Sequence, residues 1–285
     1  IPETLLTLDI VKVLKGKDTP IPGVVFLHTD SKGNQEEVTT DEKGQAVLKG
    51  LTRGTHTVQE KSVPDGYTKN PGVLKFSVDE NNKITLLENT ATDKTGTMKF
   101  TLREDGTAQL HVEDVLAPYE LIIHKVNDHE KVLEGAEFTL YTDKECKQEL
   151  QKATSGKDGI LRFQDLEVEK KYYLKETKAP DGYRIPVNSD GTDIVYEIYT
   201  KSDPQKDLFE YYVNGKKYTD ATGDFAITGT KAEREVNLKV VNPIGMKMPE
   251  TGSPWTAGIL LAGVGVIVAG YVMMIRKGKQ EDEEK

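Results

Sequence analysis

Six polar residues stand inside stretches whose neighbours are apolar. Lys12 lies in "LDIVKVL" and Lys125 in "LIIHKVN"; Glu60 lies in "HTVQEKS" and Glu176 in "YYLKETK"; Asp114 lies in "LHVEDV" and Asn242 in "LKVVNP". Burying a lone lysine or glutamate costs several kcal/mol unless the group is paired or neutralised. A lysine, then a glutamate, then a carboxyl or amide, twice in the same order, points to one shared solution. A buried ion pair is one form of it. Plain surface charges on a strand edge would be the alternative.

The elements that must position these residues are also duplicated. Residues 8–118 read "LDIVKVL", "PIPGVVFLHTD", "TTDEKGQAVLKGL", "HTVQEKSVPDGY" and "QLHVEDVLAP"; residues 119–246 read "LIIHKVN", "VLEGAEFTLYTD", "TSGKDGILRFQDL", "YYLKETKAPDGY" and "NLKVVNPIG". Gly23 matches Gly135, Phe26 matches Phe138, Gly44 matches Gly159 and Leu51 matches Leu166. Residues 1–7 are a lead-in, and the second copy carries an insertion at about 187–234. "LIIHKVN", "EFTLYT" and "KYYLKET" favour strands by composition and "LRF" by alternation. "SKGN", "DEKG", "GKDG", "PDGY", "REDG" and "VNGK" mark turns. Short strands at similar spacing predict an all-β chain of two tandem β-sandwiches.

Other chemistry is not supported. The net charge of −9 offers no basic stripe for phosphates, so no nucleic-acid partner is expected. His28, His56, His111, His124 and His129 lack metal-site spacing, and neither a phosphate loop nor a nucleophile elbow is present. No metal and no cofactor are expected. "NSDGTD" (188–193) reads as a polar hairpin turn before a Ca²⁺ loop, and "FEYYV" (209–213) as a strand of the insertion before a ligand contact. Cys146 is the single cysteine, so no intramolecular disulfide forms. The chain begins at Ile1 without an apolar leader, which fits a removed signal peptide or a missing N-terminal part.

The tail, 247–285, changes character. Residues 255–275 carry no charge, long enough as a helix to cover about 30 Å, one hydrocarbon thickness. Trp255 and Tyr271 sit near its ends, and Arg276, Lys277 and Lys279 follow within a stub, 276–285. The positive-inside rule puts that stub in the cytoplasm and the rest outside. Just before the span stands "MPETG", Met248, Pro249, Glu250, Thr251 and Gly252. Pro249 fixes an extended, kinked presentation and Gly252 permits close approach of another protein.

Pentapeptide, span and basic stub in this order resemble the cell-wall sorting signal of Gram-positive surface proteins, usually Leu-Pro-x-Thr-Gly. The resemblance implies a sortase as partner, cleavage at Thr251–Gly252, and transfer of the Thr251 acyl group to a peptidoglycan precursor or a neighbouring pilin subunit. The precursor would span the membrane before sorting, and the product would be extracellular and wall-anchored. Met248 stands where Leu is usual; the two have similar volume, so the pocket contact should survive.

Each copy in turn resembles the Cna protein B-type domain, the prealbumin-like module of Gram-positive pilins and adhesins. In that family a first-strand Lys and a last-strand Asn or Asp form an isopeptide bond promoted by a Glu. The resemblance implies Lys12–Asp114 promoted by Glu60, and Lys125–Asn242 promoted by Glu176. Glu113 beside Asp114 is the competing partner in the first copy. Desolvation favours neutral Lys and neutral Glu, and a neutral amine is a nucleophile. The fold implied is two Ig-like or prealbumin-like sandwiches followed by one transmembrane helix. The function implied is a structural stalk, not an enzyme beyond a single turnover on itself. The competing expectation is an adhesin whose own domains bind a host extracellular matrix protein or carbohydrate. The Val-Tyr-Pro-Lys type pilin motif does not occur in the chain.

Overall fold

The computed structural model describes residues 6–104, 107–218, 225–230 and 233–243. The first repeat contributes β1 (Thr7–Leu14), β2 (Val25–Thr29), β3 (Gln35–Thr39), β4 (Gln45–Lys49), β5 (Gly54–Ser62), β6 (Tyr67–Thr68), β7 (Val73–Val78), β8 (Ile84–Asn89), β9 (Met98–Leu102) and β10 (Ala108–Leu116). The second contributes β11 (Tyr119–Asn127), β12 (Glu137–Tyr141), β13 (Glu149–Thr154), β14 (Ile160–Leu166), β15 (Lys171–Lys178), β16 (Val195–Asp203), β17 (Leu208–Val213), β18 (Lys216–Tyr218), β19 (Phe225–Gly229) and β20 (Arg234–Asn242). A 3-10 turn at Pro204–Lys206 is the one helical element among the described residues.

The strands make two sheets per repeat. In the first repeat β4-β1-β10-β6, with β9 on β10, faces β3-β2-β5-β7-β8. In the second, β14-β11-β20-β19 faces β13-β12-β15-β16-β17-β18. Alternation drives this packing, because successive strand residues point to opposite faces. In β10, Ala108, Leu110, Val112 and Asp114 are buried while the residues between them are partly exposed. Two separate apolar cores result. Leu8, Ile10, Phe26, Val58, Phe76 and Leu110 build one; Leu121, Phe138, Tyr172, Leu174, Phe163 and Leu238 build the other.

First and last strands lie side by side and parallel in each repeat, β1 with β10 and β11 with β20. The chain therefore enters each sandwich at one end and leaves at the other. Within the residues expected as an insertion, about 187–234, β16, β17 and β19 take the places that β7, β8 and β9 hold in the first repeat, and β18 is the strand without a counterpart among the described residues. Extra length sits in β16, which is longer than β7, in β18, and in the 188–193 hairpin, closed by Asn188 N–H to Thr192 O and Gly191 N–H to Asn188 O. "FEYYV" is the body of β17.

The two sandwiches meet at a small joint. Lys17 and Glu169 pair at 2.6 Å, Gln205 Nε2 donates to Pro20 O at 2.6 Å, and the Pro204 ring lies against Gly66. No helix among the described residues is long and apolar enough to cross a membrane. The expected span at 255–275 and the pentapeptide at 248–252 lie outside the described residues.

Candidate functional site

Register brings the six polar residues together. Lys12 sits opposite Val112 in the β1–β10 ladder, and Asp114 is two residues further along the same face. Lys125 sits opposite Val240, and Asn242 is again two residues further. With a side-chain period of two, each lysine and its partner point into the same core as diagonal neighbours. The glutamates enter from the facing sheet. Glu60 lies opposite Phe26 and Glu176 opposite Phe138, and both ladders slip by one residue just beside them. Such bulges re-aim a side chain, and here they recur at matching positions.

The lysine backbones are pinned in the same way. Lys12 N–H donates to Gly44 O at 2.8 Å, and Lys125 N–H donates to Gly159 O at 2.8 Å. Both glycines adopt positive φ, +68° and +74°. A Cβ at Gly44 would lie 2.3 Å from Lys12 O, and one at Gly159 would lie 2.6 Å from Lys125 O. The "DEKG" and "GKDG" turns thus need glycine for conformation and for close approach.

In the first core Lys12 Nζ lies 2.8 Å from Glu60 Oε1 and 2.5 Å from Asp114 Oδ1, all three side chains fully enclosed. Outside this triad Lys12 Nζ, Glu60 Oε1 and both Asp114 oxygens have no hydrogen-bond partner. Burial pushes the Asp114 carboxyl up to about 7; Lys12 opposes that rise and Glu60 reinforces it. Glu113 points the other way and takes the Thr97 hydroxyl at 2.7 Å. Alternation along β10 thus puts Asp114, not Glu113, beside the lysine.

In the second core Lys125 Nζ donates to Val240 O at 2.9 Å and lies 4.0 Å from Glu176 Oε2. Burial brings the Lys125 amine down to about 8, with Glu176 opposing the fall. Burial raises the Glu176 carboxyl, against the pull of Lys125 and of Asn242. Glu176 Oε1 and the Asn242 side-chain amide are 2.6 Å apart, with Asn242 nitrogen assigned as donor. That distance is short for N–H···O and ordinary for O–H···O. Turning the amide over places Asn242 Oδ1 there and lets a protonated Glu176 donate to it, an orientation equally open to an amide side chain.

One further residue belongs to the first site. Asn70 is fully buried; its N–H donates to Glu60 Oε2 at 2.8 Å and its amide to Gly96 O at 2.8 Å. It fixes one Glu60 oxygen and leaves the other facing Lys12. Its sequence signal was the Asn-Pro dipeptide in "TKNPG", which marks a turn but gives no hint of burial.

Comparison with known proteins agrees with this architecture. The family model described as SpaA, prealbumin-like fold domain, matches residues 7–95 and 119–200, more than half of the chain. No curated protein matches. Among solved structures, a C-terminal fragment of the pilus adhesin SpaC from Lactobacillus rhamnosus GG is 17% identical, covering 86% of this chain and 99% of that one, with a TM-score of 0.37. The Bacillus anthracis TIE protein is 22% identical, covering 85% of this chain and 51% of that one, at 0.33. A streptococcal ancillary pilin is 17% identical, covering 86% and 63%, at 0.30.

Proposed function

The chain belongs to the SpaA prealbumin-like fold domain family, and from that premise we propose that it is a structural stalk of a bacterial surface, a pilin or adhesin shaft whose two modules, 8–118 and 119–246, each close on themselves through an isopeptide bond. The observation that carries this reading is the repeated enclosure of lysine, glutamate and acyl partner at one register in two separate cores.

In the second module the neutral Lys125 amine attacks Asn242 Cγ. The new N–C bond replaces the bond from Cγ to Nδ2. Glu176, holding a proton against the amide oxygen, polarises the carbonyl and passes the amine's proton to the departing nitrogen, which leaves as ammonia. Glu176 ends with the proton it began with. In the first module Lys12 attacks the protonated Asp114 carboxyl, the C–OH bond breaks, and water leaves with Glu60 as relay. Packing supplies the proximity. The crosslink needs no oxidant, so a single cysteine is no handicap.

A bond between neighbouring first and last strands puts a covalent link in line with any pull between the ends of a module. "MPETG", the 255–275 span and the basic stub then complete the reading: a sortase cuts Thr251–Gly252 and joins Thr251 to the wall or to a neighbouring subunit. Intact-mass spectrometry of the full chain tests the crosslinks. The expected mass is one water and one ammonia below the sum of the residues, with Glu176→Ala restoring the ammonia; a mass equal to the sum ends the proposal.

A second reading, direct adhesion to a host matrix protein or glycan, draws on the outer face of the second module. Tyr173, Tyr199 and Tyr212 stand partly exposed where the first module has Thr57, Ser77 and Thr85. Replacing Tyr199 and Tyr212 by serine and measuring adhesion separates the readings, since a stalk tolerates the change.

A further inference from the structure

The outer face of the sheet β13-β12-β15-β16-β17-β18 differs from its counterpart in the first module by its rings. Alternation turns Tyr172, Leu174, Ile198 and Tyr211 into the second core and leaves Tyr173, Tyr199 and Tyr212 half-buried on the outside. Tyr199 sits directly opposite Tyr212, with ring centroids 5.7 Å apart and ring planes at 50°. Tyr173 sits opposite Glu197, so it is a diagonal neighbour of Tyr199. The three rings cross three strands in a slanting line, about 10 Å between the outer two strands. The corresponding line in the first module is Thr57, Ser77 and Thr85, on β5, β7 and β8. There the same ladder order stands without rings, so the fold does not require them.

The polar groups around the rings are already arranged. Tyr212 Oη donates to Glu210 Oε2 at 2.7 Å, and Lys217 pairs with the same carboxylate. Lys217 lies on β18, the strand without a counterpart in the first module among the described residues, directly opposite Tyr212. Lys171 pairs with Glu197 at 2.8 Å, and Lys175 with Asp193 at 2.6 Å.

This chemistry narrows the ligand. Lys171, Lys175 and Lys217 are each matched by a carboxylate, so the face is self-neutralised and complements an uncharged partner. The aromatic anchors of a protein interface sit in fully desolvated pockets. Here the rings lie on a sheet face, half-buried and ringed by ion pairs. A neutral sugar chain fits both facts. The C–H face of a sugar ring stacks on an aromatic ring, and its hydroxyls bond carboxylates and amines at the rim. A β-linked chain is extended, as a line of rings across strands demands.

We propose that the Tyr173–Tyr199–Tyr212 line binds a neutral, β-linked oligosaccharide, whose ring faces stack on the tyrosines and whose hydroxyls bond Glu197, Glu210 and Lys217. The inference rests on the adhesion reading and names its ligand class. It leaves both triads untouched, because the site lies on the opposite face of the sheet from Glu176.

Saturation-transfer NMR of the full chain in a zwitterionic, sugar-free detergent tests it. The neutral probes are cellotetraose and lacto-N-neotetraose; a hyaluronan tetrasaccharide is the anionic probe and a collagen-model peptide the protein one. The native chain is expected to bind a neutral probe through its ring C–H groups, with an affinity indifferent to salt. Tyr199→Ser or Tyr212→Ser is expected to weaken binding about tenfold. Tyr199→Phe, which keeps the ring, should retain it, and Ser77→Ala in the first module should change nothing. Native Tm and intact mass of each variant show that the fold is kept. Binding of neither neutral probe, binding of the anionic or peptide probe alone, or binding indifferent to both serine changes would each overturn the proposal. Adhesion lost in the serine variants while no oligosaccharide binds the native chain would sink this inference and leave the adhesion reading standing. Oligosaccharide binding with adhesion unchanged would keep the site and end that reading.

Discussion

Replacing Glu176 by Gln keeps the shape of the second core and removes the group proposed to move the proton. Lys125 and Asn242 enclose 117 residues of sequence separation, and a link closing such a loop stabilises by about 5 kcal/mol in the chain-entropy model. For a module of this size that corresponds to roughly 15–20 °C in Tm. The variant also keeps a free Lys125. Burial holds that amine at about 8 against an ordinary 10.5, and Glu176 is what opposes the fall, so removing the carboxylate lets it drop further. The sign then follows. Above the folded pKa and below 10.5 the folded module carries a neutral amine while the unfolded chain binds a proton. Stability of the variant should therefore rise with pH from about 8 or below up to 10.5. In a native module crosslinked as proposed, the nitrogen would be an amide without such a titration. Calorimetry at pH 7 and pH 9.5, with intact mass on the same samples, reads both effects. A Glu176→Gln chain that still loses ammonia, or one with native Tm and no rise with pH, would refute the reasoning.

In the first module Glu60→Gln or Asp114→Ala should restore one water to the intact mass and lower the Tm of that module alone, since the two cores are separate. Gly159→Ala should destabilise the second module by about 1–3 kcal/mol, read by denaturant unfolding of a Lys125→Met background so that crosslinking does not mask it; the added methyl meets Lys125 O at 2.6 Å at positive φ. Under force, the native modules should show no unfolding length between their crosslinked residues. Asn242→Ala should release about 40 nm from the second module in single-molecule stretching, the reach of the freed loop. Thr251→Ala should move the protein from the wall fraction to the membrane fraction, read by fractionation and immunoblot.

Much of this architecture was legible because two physical signals are strong in the chain. Period-two alternation in "LHVEDV" and "LKVVNP" sets which residues face inward, and it separates Asp114 from Glu113 once β10 is known to pair with β1. Lys, Glu and then a carboxyl or amide recur in the same order in both copies, and these are the six residues that the folded chain encloses. What sequence did not yield depends on pairing between distant segments. The bulges beside Glu60 and Glu176 arise from register against β2 and β12, and no local pattern announces them. The span 187–234 reads as one insertion because its strands are differently spaced from β7 to β9 and β16 is longer than β7, although the ladder order is the same. Asn70 carries in sequence only the turn signal of Asn-Pro; its burial is decided by Glu60, Gly96 and Glu113, ten to forty-three residues away.

Under the proposed crosslinking the two cores would solve one problem with different acyl partners, and the difference follows from what surrounds each. A carboxylic acid reacts with an amine only while it holds its proton, so the proposed reaction would draw on the rise of Asp114 to about 7 that burial causes and Glu60 reinforces. An amide carries no charge to suppress, and the second core can let its lysine bond Val240 O and sit 4.0 Å from Glu176 Oε2. The first core, with two acids beside one amine, has to hold three titratable groups within 2.8 Å contacts and depends on Asn70 to occupy a Glu60 oxygen. Removing that prop should therefore matter in one module alone. Asn70→Ala keeps the backbone N–H that Glu60 Oε2 accepts but removes the side-chain bonds to Gly96 O and Glu113 O that hold that backbone against Glu60. It is expected to slow water loss in the first module during refolding while ammonia loss in the second keeps its native rate, both followed by intact mass over time. Equal rates in variant and native chain would show that Glu60 needs no such support.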